Sequence, residues 1–150
     1  MIRAVLLAVL LSIVPLTHAH AAASEHVHVE QGWIRLLPGD LPAGGYAAIR
    51  NDGDEPAVIR AVSSPRFASS MLHQSSSEGG MSRMSMLDTL TIPAHGKVML
   101  SPGGNHIMFG GAQGAPKVGE RVPVRLELSD GSAVSADFVV RPANALGPTD

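Results

Sequence analysis

The 150-residue sequence contains no cysteine. That absence excludes a thiol nucleophile, a redox CxxC pair, an iron–sulfur cluster and a blue-copper centre, each of which needs a cysteine sulfur. It also leaves an exported form without disulfides, so stability has to come from a packed core. Aromatic residues are scarce, with one Trp, one Tyr and three Phe. Charge is sparse as well: 16% of residues are charged, the formal net charge is −2, and no basic run occurs. Such a chain has no electrostatic footprint for nucleic acid and no basic patch for anionic lipid.

Long apolar runs are missing too, except near the N-terminus. There Arg3 precedes an apolar stretch at 4–14, Pro15 interrupts it, and small residues follow at Ala19, Ala21, Ala22 and Ala23. This is the grammar of a cleaved secretory signal. The apolar stretch of about 11 residues is too short to span a bilayer, which takes about 20. The expectation is a signal peptide over residues 1–23, cut between 19 and 23, and a periplasmic product not inserted in the membrane. Residues 24–142 then form one domain, and 143–150 a polar C-terminal tail.

Short alternating runs separated by turn signals fill the rest of the chain. Strands are expected at 26–36, 46–49, 58–62, 68–74, 81–90, 97–100, 106–109, 121–128 and 134–140. Residues 51–54 (Asn-Asp-Gly-Asp) and Asp130-Gly131 read as hairpin-type turns. Residues 38–42, 75–80 and 110–119 read as loops. No stretch has a 3.6-residue apolar period of helical length, and strand spacings of about 8–12 residues indicate an all-β, single Greek-key β-sandwich. Trp33 is expected to anchor its core and Arg35 to lie at the surface.

Against these shortages stand seven Met and seven His. Met71, His73, Met81, Met84, Met86, His106 and Met108 gather in the middle of the chain. Thioether sulfur selects Cu(I), whereas imidazole accepts several metals, so a mixed set discriminates more than histidine alone. Zinc sites use Cys, His and carboxylate, and calcium and magnesium want oxygen. His106 and Met108 are two apart, and within one strand they share a face. Singly, each Met is a core gap-filler and each His a hydrogen-bonded side chain.

The spacing changes that. His73-x10-Met84-x21-His106-x-Met108 resembles the signature of the PCuAC family of periplasmic Cu(I) chaperones. Supporting residues are Gly80-Met81, Ile92-Pro93 and Pro102-Gly103-Gly104, and upstream Gly32-Trp33, Tyr46 and Asn51-Asp52-Gly53. A fixed four-residue pattern of this kind arises by chance in about one such chain in 2,000, so the four residues are read as a set. The resemblance implies a cupredoxin-like sandwich with one Cu(I) per chain, held by His73, Met84, His106 and Met108. It also implies delivery of copper to an acceptor protein, either the Cu(A) site of a cytochrome c oxidase subunit or another copper chaperone. A non-enzymatic monomer is expected. Met71, Met81 and Met86 are read as an apolar collar.

His26 and His28 form a separate HxH pair, a candidate second site for Cu(II). Cleavage after Ala23 would place His26 third in the chain, behind a free amine. The competing readings are an electron-transfer cupredoxin, which the missing cysteine disfavours, and a non-metal envelope interaction or structural sandwich with packed Met and His. No acid/base pair or open-site zinc motif argues for an enzyme.

Overall fold

A computed structural model describes residues 21–149 of the chain. Residues 1–20, which hold most of the expected signal peptide, lie outside the described residues. Among the described residues the helical content is one 3₁₀ turn, Ala23–Glu25, and everything else regular is strand. The strands are β1 (Val27–Arg35), β2 (Ala43–Asn51), β3 (Ala57–Ser63), β4 (Phe67–Glu78), β5 (Met81–Met86), β6 (Leu90–Ile92), β7 (Lys97–Leu100), β8 (Asn105–Ala112), β9 (Arg121–Leu128) and β10 (Ala133–Arg141). They pair in the order β5-β4-β8-β2-β1-β10-β9-β3-β6, with β7 also paired to β2. Pairing is antiparallel except between β1 and β10.

The path curls so that its two halves enclose one core. Strand β9 shows why: Val122, Val124, Leu126 and Leu128 are buried, and the residues between them face outward. Ile59, Ile92, Phe138 and Val140 from one half meet Ile34, Ile49, Leu72, Ile107 and Phe109 from the other in a single cluster. Phe67 and Phe109 stack within it, ring centroids 4.7 Å apart. Burying each such side chain contributes about 1.5–3 kcal/mol, and this fixes which face of each strand points inward. The all-β sandwich expected from the alternation is what forms.

Two expectations are corrected by the structure. The stretch 75–80 is mostly strand, not loop: β4 runs to Glu78 and β5 starts at Met81. Gly79 and Gly80 both have positive φ, +60° and +79°, as a two-residue hairpin turn between right-twisted strands requires. Residues 81–90 are likewise not one strand, since β5 stops at Met86 and β6 begins at Leu90.

Trp33 is buried as a core residue, as expected. It anchors a second, smaller core cluster with Tyr46 and Ala145, apart from the main one. The cause is a register shift in β1 between Glu30 and Trp33, where Gln31 takes φ +54°. Val27 and Val29 face the core before this bulge and Ile34 faces it after, so the parity changes and Trp33 is turned out. Gly32 permits this, because a Cβ there would lie 2.6 Å from the Phe138 ring. Ala145 comes from the C-terminal stretch, which folds back onto the outer face.

Asn51 ties the sheet end together. Its buried amide nitrogen donates to the carbonyl of Glu55 at 2.8 Å and lies 3.3 Å from that of Pro93, and its Oδ1 accepts from the Gly53 N–H at 3.0 Å. Removing a side chain that satisfies several buried backbone groups leaves them unpaired, at about 1–3 kcal/mol. Asn51→Ala is therefore expected to lower the unfolding free energy by that amount in urea titrations. An unchanged midpoint would show that the loop keeps itself in place.

Candidate metal centre

Three neighbouring strands, β5, β4 and β8, carry the His and Met residues, and the register decides how they meet. His73 on β4 lies opposite His106 on β8 and Met86 on β5. One row along, Ser75 faces Met84; one row the other way, Met71 faces Met108. Directly paired residues point to the same side of a sheet, and residues two apart share a face. His73, His106, Met84 and Met108 are therefore on one outer face, backed by Leu72, Ile107 and Phe109 on the core side. The expected closure of His73 and Met84 across a hairpin holds, but Met84 is diagonal to His73 and Met86 is its direct partner.

A row of rings flanks the set on the same face. Trp33 and Tyr46 lie 4.5 Å apart, Tyr46 and His106 6.4 Å, and His106 and His73 5.8 Å, measured between ring centroids. This wall leaves His106 only 7% exposed although it points away from the core. Tyr46 is held in turn by Arg35, whose guanidinium donates to the phenol oxygen at 2.8 Å and lies 5.3 Å from the ring centre. Gly44 makes room for this, because a Cβ there would run into the Tyr46 hydroxyl. Arg35, read from sequence as a surface residue, thus lines the site: a cavity of about 270 Å³ is bounded by Arg35, Tyr46, Met84, His106 and Met108.

The two imidazoles differ in their hydrogen bonding. His106 Nδ1–H donates to the carbonyl of Gly104 at 3.0 Å, which fixes the tautomer and leaves Nε2 with its lone pair free. His73 has both ring nitrogens buried and without a hydrogen-bond partner. A buried polar atom with no partner costs about 1–3 kcal/mol, so such atoms are rare without a reason. A metal ion would satisfy one of them. Among the described residues no group of three His, Cys, Asp or Glu is placed to hold a metal. The same face also carries the thioethers of Met84 and Met108 beside the two imidazoles.

The HxH pair is arranged differently. His26 Nδ1 lies 3.3 Å from one oxygen of Asp52, and His28 Nε2 lies 2.9 Å from the other. Arg50 also binds that carboxylate, at 3.1 Å, and its hydrogen bond holds the Asp52 carboxyl below its usual range. Ser24 N–H donates to the Ser132 hydroxyl, and the amides of Glu25 and His26 close the 3₁₀ turn. Cleavage after Ala23, which an N-terminal chelate at His26 requires, would remove the Ala22 and Ala23 carbonyls that close this turn. A larger cavity, about 490 Å³, lies between residues 36–41 and 111–116 and has no imidazole or thioether in its wall.

Burial pushes the His73 imidazole below its ordinary pKa, and the neighbouring His106 adds to this. The folded state therefore binds a proton less readily there than the unfolded chain does. Stability linked to His73 is complete above the unfolded value of about 6.5 and is lost as pH falls from there toward the folded value. In the metal-free protein, the His73 ring is expected to titrate below about 6.5 by NMR. A midpoint at or above that value would mean the ring is hydrated.

These features can be set beside known proteins. Residues 27–140 match the family described as "Putative lipoprotein LpqE-like". A protein named "Putative lipoprotein Lxx21020", from Leifsonia xyli subsp. xyli, is 28% identical over 110 residues, 73% of this chain; the match covers 66% of that protein, just under two thirds of its length. Among solved structures, a copper-bound PCuAC domain from PmoF2 superposes with a TM-score of 0.67 at 24% identity, covering 82% of this chain and 98% of that one. The solution structure of CuI-DR1885 from Deinococcus radiodurans gives 0.63 at 29% identity, covering 80% and 83%. The chain belongs to the LpqE-like family, and its fold is the cupredoxin-like β-sandwich of PCuAC domains.

Proposed function

We propose that this protein is a copper carrier working outside the cytoplasm, holding one Cu(I) through His73, Met84, His106 and Met108 and releasing it to an acceptor. The observation that carries the reading is His73. Both its nitrogens are buried and unpartnered, 5.8 Å by ring centroid from His106, on a face where thioethers are the remaining donors. The two solved relatives whose names include copper share this fold. Export rests on the signal-like N-terminus and on the lipoprotein description of the family. Within these 150 residues no cysteine is present to carry a lipid on sulfur.

The chemistry suits carriage more than storage. Two neutral imidazoles and two neutral thioethers leave the ion its single positive charge, so no ion pair locks it in. Arg35 at the cavity wall works against a more highly charged ion, because like charges in a partly desolvated site repel. An acceptor offering thiolates or a fuller imidazole set then takes the ion by stepwise exchange. Delivery to the Cu(A) centre of cytochrome c oxidase is the acceptor implied by the resemblance to PCuAC chaperones. A second copper, as Cu(II), at His26 and His28 has weaker support, since both rings are already turned to Asp52.

The test is Cu(I) titration in competition with a chromophoric chelator. The wild-type protein is expected to take up one equivalent. Met84→Leu and Met108→Leu each lose a bond to the ion, and the affinity is expected to fall by about tenfold or more, equivalent to about 1.4 kcal/mol. Thermal unfolding should be little changed for Met84→Leu, whose side chain is 55% exposed. Full Cu(I) affinity in the double variant would refute the ligand assignment and leave the packed, non-metal sandwich as the better reading.

A further inference from the structure

Two thioethers on the same face stand outside the four-residue set. Met86 is the direct cross-strand partner of His73, and Met71 is that of Met108. Each is therefore one strand spacing, about 5 Å between Cβ atoms, from a member of the set. Both are exposed, Met71 by 38% and Met86 by 61%, so gap-filling in a core does not account for them. They line a common open cavity of about 240 Å³ with Asp88 and Arg60. Arg60 lies 3.6 Å from Glu127, which partly offsets its charge, and Asp88 leaves a negative group at the rim.

We infer that Met71 and Met86 form an outer station for Cu(I), used as the ion passes between the four-residue set and a partner. The inference rests on the carrier reading above and adds the route. In the exchange a Cu–S bond to Met84 or Met108 breaks as one to Met86 or Met71 forms. The ion remains Cu(I), and no proton or electron moves. His73 lies between Met86 and His106 in one row, so it can stay bound while the thioethers exchange. Strand β5 is at the sheet edge with all six residues exposed, so a partner reaches Met86 without displacing other strands.

The experiment uses the double variant Met71→Leu/Met86→Leu in the full exported protein, with the parent and Met84→Leu alongside. The dissociation constant for Cu(I) is measured by chelator competition. The rate of Cu(I) transfer to a peptide bearing two cysteines is followed separately by stopped flow. The affinity is expected to stay within about twofold of the parent, while transfer slows by about tenfold or more. Unchanged transfer overturns the outer station. A loss of affinity as large as in Met84→Leu also overturns it, by making one of these residues a resident ligand. If the parent itself binds no Cu(I), the carrier reading fails first and takes this inference with it. Both side chains are exposed, so the melting temperature of the double variant should match the parent. Met86→Gln alone, which keeps the length and removes sulfur, checks that any slowing follows the thioether.

Discussion

The geometry of the candidate site depends on one constraint, the burial of Leu72 on β4 and of Ile107 and Phe109 on β8. The side-chain period of a strand is two, so fixing these inside fixes Met71 and His73, and His106 and Met108, outside. A slip of one residue would put imidazole and thioether into the core and three large apolar side chains into water. At about 1.5–3 kcal/mol for each buried side chain, that slip is strongly disfavoured. The core therefore positions the two histidines, and the histidines do not need a ligand to be brought together. His73 pays for this arrangement with two unpartnered nitrogens.

Around that register the outer face is built in two materials. Toward β1 and β2 the neighbours are rings: Trp33, Tyr46 and then His106, roofed partly by Ala145. Toward β5 they are flexible thioethers, half or more exposed. The ring side excludes water and holds His106 at one tautomer through Gly104. The thioether side stays open. Arg35 joins the two, since it fixes Tyr46 and also faces the cavity. Its charge disfavours a dication more than a monocation at this cavity, the same preference the proposed thioether set would have.

Much of this was legible in the residues. The strict alternation of 121–128 gave β9 its ends, Asp130-Gly131 gave the following turn, and the spacing of His73, Met84, His106 and Met108 picked out residues that the fold does bring to one face. The misreadings have physical causes. Residues 75–77 are serines, which carry little strand preference, so the stretch resembled a loop; the stronger signal was Gly79-Gly80, a two-residue hairpin turn. Taking that turn at face value pairs Glu78 with Met81 and, counting back, His73 with Met86, as observed. Trp33 is buried as expected, but in a second cluster, because a bulge reverses the alternation of β1, and a bulge beside a glycine is hard to distinguish from ordinary strand. Nothing in the sequence could have brought Ala145 to Trp33, because that contact joins the two ends of the domain.

The division between interior and edge strands bears on how the proposed Cu(I) set would hold its ion and let it go. His106 sits on β8, flanked by β4 and β2, and His73 on β4, flanked by β8 and β5. The backbone beneath each imidazole belongs to a strand paired on both sides, so neither Cα can shift far without breaking ladder hydrogen bonds. Met84 sits on β5, which is paired on one side only. Edge strands have fewer ladder bonds to break, and local opening is easiest where contacts are fewest. In the proposed carrier, release is therefore expected to begin with the β5 thioether and to leave the imidazole pair in place. An arrangement with the histidines on the edge would hold the same ion in the same coordination, but would have to open its strongest donors first. The strand order, as much as the proposed ligand types, suits the proposed carrier to unloading from one side.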